Sequence, residues 1–318
     1  MRQMIADMVV GSKISAPLVV TAATARKTKA GKDFLTLELY DGVEGITGNY
    51  WDWGGVNIPA INSILDVAGQ VTEYLGQKQL NISSIKTNTS LVLAEFAPKS
   101  TFDLAQAYKD CYELASDIKH DLLRQVCWEV LERLKLEWLT APGAKTIHHA
   151  YIGGTLVHTA SVATIAKAIA SAMPQANIDL ATAGALLHDV GKLWTYEMDG
   201  LVVNMTAAGM LYDHLYIGAK YIEDLAMSLA SDNDRAVVQL LVHIILSHHG
   251  RQEYGSVVPP MCIEAHIVHA ADLLDADQEQ IRMAASKAHG MFTDKIWTMD
   301  NKPQVTPKYT ALQMGEDQ

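Results

Sequence analysis

The sequence predicts a small β domain followed by an all-helical domain. Three observations predict it. Residues 34–39, Phe-Leu-Thr-Leu-Glu-Leu, alternate apolar and polar residues with the period of a half-buried strand, between the turn signals Ala30-Gly31-Lys32-Asp33 and Asp41-Gly42. From Phe102 onward apolar residues recur instead at helical spacing almost throughout. Between the two regions lies Pro98-Lys99-Ser100-Thr101, a natural boundary.

The β domain is assigned to residues 1–97. Residues 14–24 form its first strand. The ending Ala23-Thr24-Ala25 imitates a signal-peptide cleavage site, but Asp7 and Lys13 interrupt the start and Pro17 dilutes the apolar part, so a strand is the better reading. Residues 91–96 are a further strand candidate, and residues 59–75 contain a short helical stretch. Several short strands with one helix fit a small β-barrel. Gly45 and Gly48 predict an irregular strand over 45–52, followed by an unusual stretch over 53–62.

The helical domain is assigned to 98–297, with leading helices over 98–145. Residues 103–139 read as one long amphipathic segment, with Leu104, Ala107, Cys111 and Leu114 on one stripe and Val126, Val130, Leu134 and Trp138 continuing it. Ala141-Pro142-Gly143 ends it. The polar stretch 298–318, with Pro303 and Pro307, is expected to be a loose or draped tail.

Composition narrows the function. The chain has 318 residues, 49% of them hydrophobic and 19% charged, which describes a globular protein with a sizeable core. Cys111, Cys127 and Cys262 make no pairing pattern, so a reducing cytoplasm is expected. No apolar run approaches the roughly 20 residues that span a bilayer. Nine basic and nine acidic residues within 1–100 leave the whole net charge of −11 on residues 101–318. That excludes a protein that coats nucleic acid through charge alone.

The chemistry is carried by histidines and aspartates at apolar helical positions. His158 shares a face with Val162, Ile165 and Ile169. His188-Asp189 ends the stripe Leu180, Ala183, Gly184, Leu187, and Gly191 is a natural helix stop after it. His214 is placed with Leu211, Ile217, Gly218 and Tyr221; His248 follows Val237, Leu241 and Ile244; Asp272 aligns with Met261, Ala265 and Val268. One such histidine is more simply a satisfied core residue. Inward polar positions on five separate helices are too costly to bury without a shared partner, and a metal relieves them together. Imidazole and carboxylate without thiolate suit manganese, iron, magnesium or cobalt. His158, His188, Asp189 and Asp272 complete one ion. His214 and the pair His248-His249 are surplus unless there is a second, which Asp189 would bridge. Lys192, one turn after His188, could neutralise a phosphate oxygen or simply cap a helix end. Asp189 and Lys192 are the catalytic candidates.

These residues resemble the HD-domain superfamily of metal-dependent phosphohydrolases, in the order His158, His188-Asp189, Asp272. The additions His214 and His248/His249 match its two-metal subset. Residues 147–159, then Ile245-Leu246-Ser247-His248-His249-Gly250, Glu253-Tyr254-Gly255, residues 271–276 and residues 292–297 are similar to YhaM-type 3′→5′ exoribonucleases. The resemblance covers most of the chain. It implies an OB-like barrel before the HD domain, two divalent ions with manganese favoured, and removal of 5′-nucleotides from the 3′ end of single-stranded RNA, with DNA as a further substrate. His149 or Lys192 would contact the phosphate. On the barrel, Arg26, Lys27, Lys29 and Lys32 in one loop, with Trp51 beside Tyr40, Tyr50 and Trp53 on strands, would bind the strand by charge and stacking. The barrel could instead serve a protein partner or a homo-oligomer. Two rival readings remain open: a small-molecule phosphohydrolase acting on a nucleotide or cyclic nucleotide, and a nucleic-acid-binding module with a structural metal site.

Overall fold

Strand β1 (Lys13–Lys27) is long enough to serve two neighbours. Its first half, Lys13 to Val19, pairs antiparallel with β4 (Ile64–Tyr74), and its second half, Val19 to Lys27, pairs with β2 (Asp33–Tyr40). A bulge between Val20 and Ala22 bends it between the two partners. β3 (Gly45–Tyr50) continues from β2, and β5 (Gln77–Thr87) joins β3 in parallel and β4 antiparallel. The order β1-β2-β3-β5-β4 thereby closes a barrel, which is OB-like. Its interior is filled by Leu18, Val20, Leu35, Leu37, Leu39, Val67, Val71 and Leu80, each at most 1% exposed. The structure is a computed structural model and describes residues 4–311 apart from 56, 75, 99, 101, 146–148 and 289.

Three expectations for this region are corrected. Residues 64–74 are strand, not helix: Leu65, Val67, Gly69 and Val71 are buried at period two, and the small residues Ala68 and Gly69 weaken that contrast in the sequence. Residue 75 lies outside the described residues. Residues 91–96 form no strand; Leu93–Phe96 is a 3₁₀ turn with Phe96 buried. The glycines of β3 do not disrupt it. They are required by it, since a Cβ on Gly48 would lie 2.6 Å from Ile82 Cδ1 and 3.2 Å from Leu39 Cδ1 inside the barrel.

By contact the chain divides into residues 1–101 with 198–202, and residues 102–197 with 203–318. The second unit is helical. The chain from residue 102 onward forms α1 (Leu104–Ser116), α2 (Asp121–Arg133), α3 (Lys135–Thr140), α4 (Gly154–Ala172), α5 (Ile178–Leu187), α6 (Lys192–Thr195), β6 (Tyr196–Asp199), β7 (Val202–Met205), α7 (Ala207–Leu229), α8 (Arg235–Ser247), α9 (Ile263–Ala285) and α10 (Pro307–Ala311), and the middle of the β6–β7 hairpin, residues 198–202, counts with the first unit. Side-chain caps start several of them: Asp103 accepts from Ala105 N and Gln106 N, Asn177 from Leu180 N, and Thr206 from Gly209 N. The segment expected as one helix over 103–139 is three. Asp179, in the first turn of α5, accepts from Lys119 N and His120 N and so holds the link between α1 and α2 from outside. Alanine-rich α4 and α5 pack closely with α8 and α9; a Cβ on Gly184 would lie 2.8 Å from Ile244. Residues 298–311 are not wholly loose: Val305 bridges to Phe292 and Lys302 to Ile296, and α10 follows. Residues 312–318 lie outside the described part. No helix among the described residues is long and apolar enough to cross a membrane.

Candidate metal centre

Five helical segments bring their polar residues to one point. His158 comes from α4, His188 and Asp189 from the end of α5, His214 from within α7, His248 and His249 from the end of α8, and Asp272 from α9. His158, His188, Asp189, His214 and His248 are buried, while Asp272 retains 19% side-chain exposure. Asp189 stands in the middle. Its Oδ2 lies 3.2 Å from His158 Nε2 and 3.3 Å from His188 Nε2, and Asp272 Oδ1 is 3.2 Å from the same His158 nitrogen. Its Oδ1 lies 3.6 Å from both His214 Nε2 and His248 Nε2. One carboxylate thus turns each oxygen to a different set of imidazoles.

The orientation of each ring is fixed from behind. His188 Nδ1 donates to Ala185 O at 2.7 Å and His248 Nδ1 to Ile245 O at 2.8 Å, each to the carbonyl three residues earlier. His158 Nδ1 donates to Asp275 Oδ2 at 2.7 Å, and His214 Nδ1 lies 2.5 Å from Asp213 Oδ1. Carbonyl and carboxylate oxygens only accept, so Nδ1 carries the hydrogen and Nε2 turns a lone pair inward. His249 is set against His214 and His248, with ring centroids 5.0 and 4.5 Å apart.

A divalent cation fits this donor set. Asp189 Oδ1 and Oδ2, His214 Nε2 and His249 Nδ1 are buried without a hydrogen bond of sound geometry among the described residues. Buried acceptors short of hydrogen bonds are costly, and a metal satisfies them. Ligand atoms of His158, His188 and Asp189, of His188, His248 and Asp272, and of His214, His248 and His249 lie within 4.8 Å of one another in each group. Charge states agree. Burial opposes ionisation of Asp189, but the Lys192 ammonium and His188 overcome it and hold its pKa well below the usual carboxylate range. Burial pushes His249 down to about 3 and lowers His248 as well, so both are neutral, the ligating form. His158 is the exception: burial lowers its pKa, yet hydrogen bonds to Asp189, Asp272 and Asp275 raise it well above the ordinary value. Three carboxylates call for positive charge at that point, which a divalent ion also answers. These clusters together offer a site for a divalent metal.

Lys192 opens α6 and places Nζ 2.6 Å from Asp189 Oδ2. Burial works against its charge, but Asp189 and Asp272 outweigh that and raise its pKa. Gly191 corrects an expectation: its φ of −62° is helical, so it is no left-handed helix stop. It is needed for close approach, since a Cβ there would lie 2.0 Å from His214 O. His214 also departs from its expected face, because α7 is broken just before it. Asp213 has φ 61° and ψ 156°, and Leu211 on the preceding turn is 74% exposed. Such a backbone costs about 1–3 kcal/mol. It is held by the Asp213 carboxylate, which meets both His214 Nδ1 and Leu215 N. Met261, expected on the Asp272 face, precedes α9 and is 72% exposed.

The substrate-binding candidates separate. His149 does not join the centre directly. It is buried, with Nε2 2.9 Å from Asp275 Oδ2 and Nδ1 2.8 Å from the Tyr151 hydroxyl, behind His158. Residues 147 and 148, at the start of that motif, lie outside the described residues. Arg26 and Lys27 end β1 and Lys29 and Lys32 stand in the following turn, all exposed. Lys27 pairs with Asp33 at 3.0 Å and Lys32 with Asp52 at 2.6 Å. Trp51 is 41% exposed and stacks on Phe34 at 4.4 Å. Trp51 and Trp53 stand in the turn after β3 rather than on a strand, and Trp53 is buried in the barrel core. Tyr40 and Tyr50 close β2 and β3, half-buried.

Asp275, Asp213 and His269, whose Nδ1 lies 2.7 Å from His248 O, escaped the sequence reading. Asp275 had a signal, being one turn after Asp272 on the same helix face. Asp213 had none, because only the break in α7 turns it toward His214.

The HD domain family matches residues 155–277, the span that holds the whole centre. A Geobacillus protein named 3'-5' exoribonuclease YhaM is 31% identical over 316 residues, covering 96% of each chain. Proteins of the same name from Oceanobacillus iheyensis and Listeria monocytogenes are each 28% identical, covering 97% of this chain and 98% and 100% of theirs. With that likeness running from barrel to helical unit, the chain belongs to the family of proteins named 3'-5' exoribonuclease YhaM.

Proposed function

We propose that this protein is a metal-dependent exoribonuclease that removes nucleotides from the 3′ end of single-stranded RNA. The observation that carries this reading is Asp189, whose two oxygens face two separate imidazole sets. His158, His188, Asp272 and Asp189 Oδ2 would hold one ion, and His214, His248, His249 and Asp189 Oδ1 a second. Manganese suits the nitrogen and oxygen donors. When bound, a pair of divalent ions supplies Lewis acidity for phosphoryl transfer and lowers the pKa of water.

The chain's own residues do the rest. Asp275, Asp213 and the carbonyls of Ala185 and Ile245 hold the imidazoles with Nε2 inward, so no ring must reorient when substrate arrives. Lys192, kept charged by Asp189 and Asp272, is placed to pair with an oxygen of the scissile phosphate. The surrounding apolar helices keep bulk water from Asp189 and strengthen its pairing with Lys192. The exposed Trp51–Phe34 stack and the neighbouring cations of the barrel suit a single strand. The three free cysteines suit the reducing cytoplasm in which we place the reaction.

Incubation of the protein with Mn²⁺ and 5′-labelled single-stranded RNA tests the reading. A ladder that shortens from the 3′ end is the expected result. Intact RNA alongside turnover of a mononucleotide or cyclic nucleotide would replace it with a small-molecule phosphohydrolase.

A further inference from the structure

The loop after His248 and His249 is built with little freedom. Gly250 has φ +80°, and a Cβ there would lie 2.4 Å from the His269 ring; Gly255 has φ +94°. Arg251 N donates to His249 O at 3.0 Å, and Arg251 O accepts from Tyr254 N at 3.0 Å and Ser256 N at 3.2 Å. The Ser256 hydroxyl lies 2.7 Å from Val258 O and 3.2 Å from Leu246 O. This net fixes one 3₁₀ turn, Gln252–Tyr254, whose last residue is an aromatic ring 66% exposed. A surface tyrosine alone needs no explanation. This one lines a cleft of about 480 Å³ together with Lys192, His249, Arg251, Asp272 and Leu273. The cleft therefore opens directly on the candidate metal centre. Its volume falls within the range of sites that hold a ligand of nucleotide size.

The lining has the chemistry of a nucleotide seat. Tyr254 offers a π-face and Leu273, 53% exposed, an apolar wall. The Arg251 guanidinium stands at the same cleft, 3.1 Å from Glu253, and is a planar group suited to phosphate. We propose that this cleft seats the terminal nucleotide of the strand, with its base stacked on Tyr254 and a backbone phosphate paired with Arg251. The proposal rests on the nuclease reading above. Stacking uses the face that every base has, so the seat accepts all four bases with similar affinity.

A cycle between the ring and the base tests it. Release of the first nucleotide is followed with Mn²⁺ from two 5′-labelled RNA strands, identical except that one ends in an abasic 3′ residue. The wild type, Tyr254→Phe and Tyr254→Ala are compared, with bound metal and circular dichroism measured for each. In the wild type the missing base should raise KM roughly tenfold, within the range of one base–aromatic stack, with kcat changed less. Tyr254→Phe should keep that difference. Tyr254→Ala should process both strands alike, within twofold, with metal content unchanged. If the tenfold difference persists in Tyr254→Ala, or the wild type itself shows none, the seat is disproved while the nuclease reading stands. If the wild type shortens neither strand, the nuclease reading fails and the seat falls with it.

Discussion

His158 donates its Nδ1 hydrogen to Asp275 Oδ2 across 2.7 Å, and this bond aims the opposite nitrogen of the ring at Asp189. Asp275 Oδ2 also meets His149 Nε2, whose own Nδ1 accepts from the Tyr151 hydroxyl. A string of four groups, its last three buried, therefore ends on the candidate metal ligand. His149 has φ 53°, and its carbonyl lies where a Cβ on Gly154 would be, at 1.9 Å.

Asp275→Asn should lower metal affinity about 10–100-fold, the usual effect of removing the carboxylate behind a ligating histidine. Metal titration followed by bound-metal analysis measures this. Activity should recover in part as Mn²⁺ is raised. Unchanged affinity would make Asp275 a packing residue only.

Asp189→Ala should abolish turnover of RNA while leaving the circular dichroism spectrum of the wild type. Both candidate sets lose their common carboxylate in this variant. Wild-type rates would refute the metal mechanism as a whole.

Gly191→Ala should destabilise the protein by about 1–3 kcal/mol, the usual penalty for overpacking. The added methyl meets the His214 carbonyl, so α7 must retreat and carry His214 with it. Denaturant unfolding reads the stability, and bound metal should fall in parallel. A variant that unfolds at the wild-type midpoint would show that α6 and α7 separate freely.

Trp51→Ala should weaken binding to a long single-stranded RNA by about 1–3 kcal/mol, the contribution of one stacked base. Fluorescence anisotropy measures it. Turnover of a dinucleotide, too short to need the barrel, should stay within twofold. Equal loss on both substrates would make the Phe34–Trp51 stack a structural feature of the barrel.

Chelation should remove activity and lower the midpoint of thermal unfolding, because a ligand that binds only the folded state stabilises it. Mn²⁺ added back should restore both. A midpoint indifferent to chelator would mean that Lys192 and the imidazoles alone neutralise Asp189 and Asp272.

Much of the metal centre was legible because burial leaves a periodic trace. His158 and His248 lie on apolar stripes at helical spacing, and a polar residue on such a stripe points into the core whatever the neighbouring helices are. β1 and β2 were legible for the same reason at period two. β4 was not, because Gly69 at an inward position and Ala68 at an outward one blur the contrast between its two faces. The break between α1 and α2 was invisible locally, because the carboxylate that holds the link between them belongs to Asp179, 60 residues from Lys119.

By itself, then, the sequence determined the order of a β unit and a helical unit, and the identity of the inward histidines and aspartates. Both follow from which face of each element must avoid water. Only the tertiary structure decided how those residues act together. It placed one oxygen of Asp189 toward His158 and His188 and the other toward His214 and His248. It broke α7 at Asp213, gave Gly191 its purpose against His214, and made His149 a support for Asp275. These relations join residues from elements distant in the chain. They exist only where two backbones meet at van der Waals distance, and spacing along one segment carries no record of that meeting.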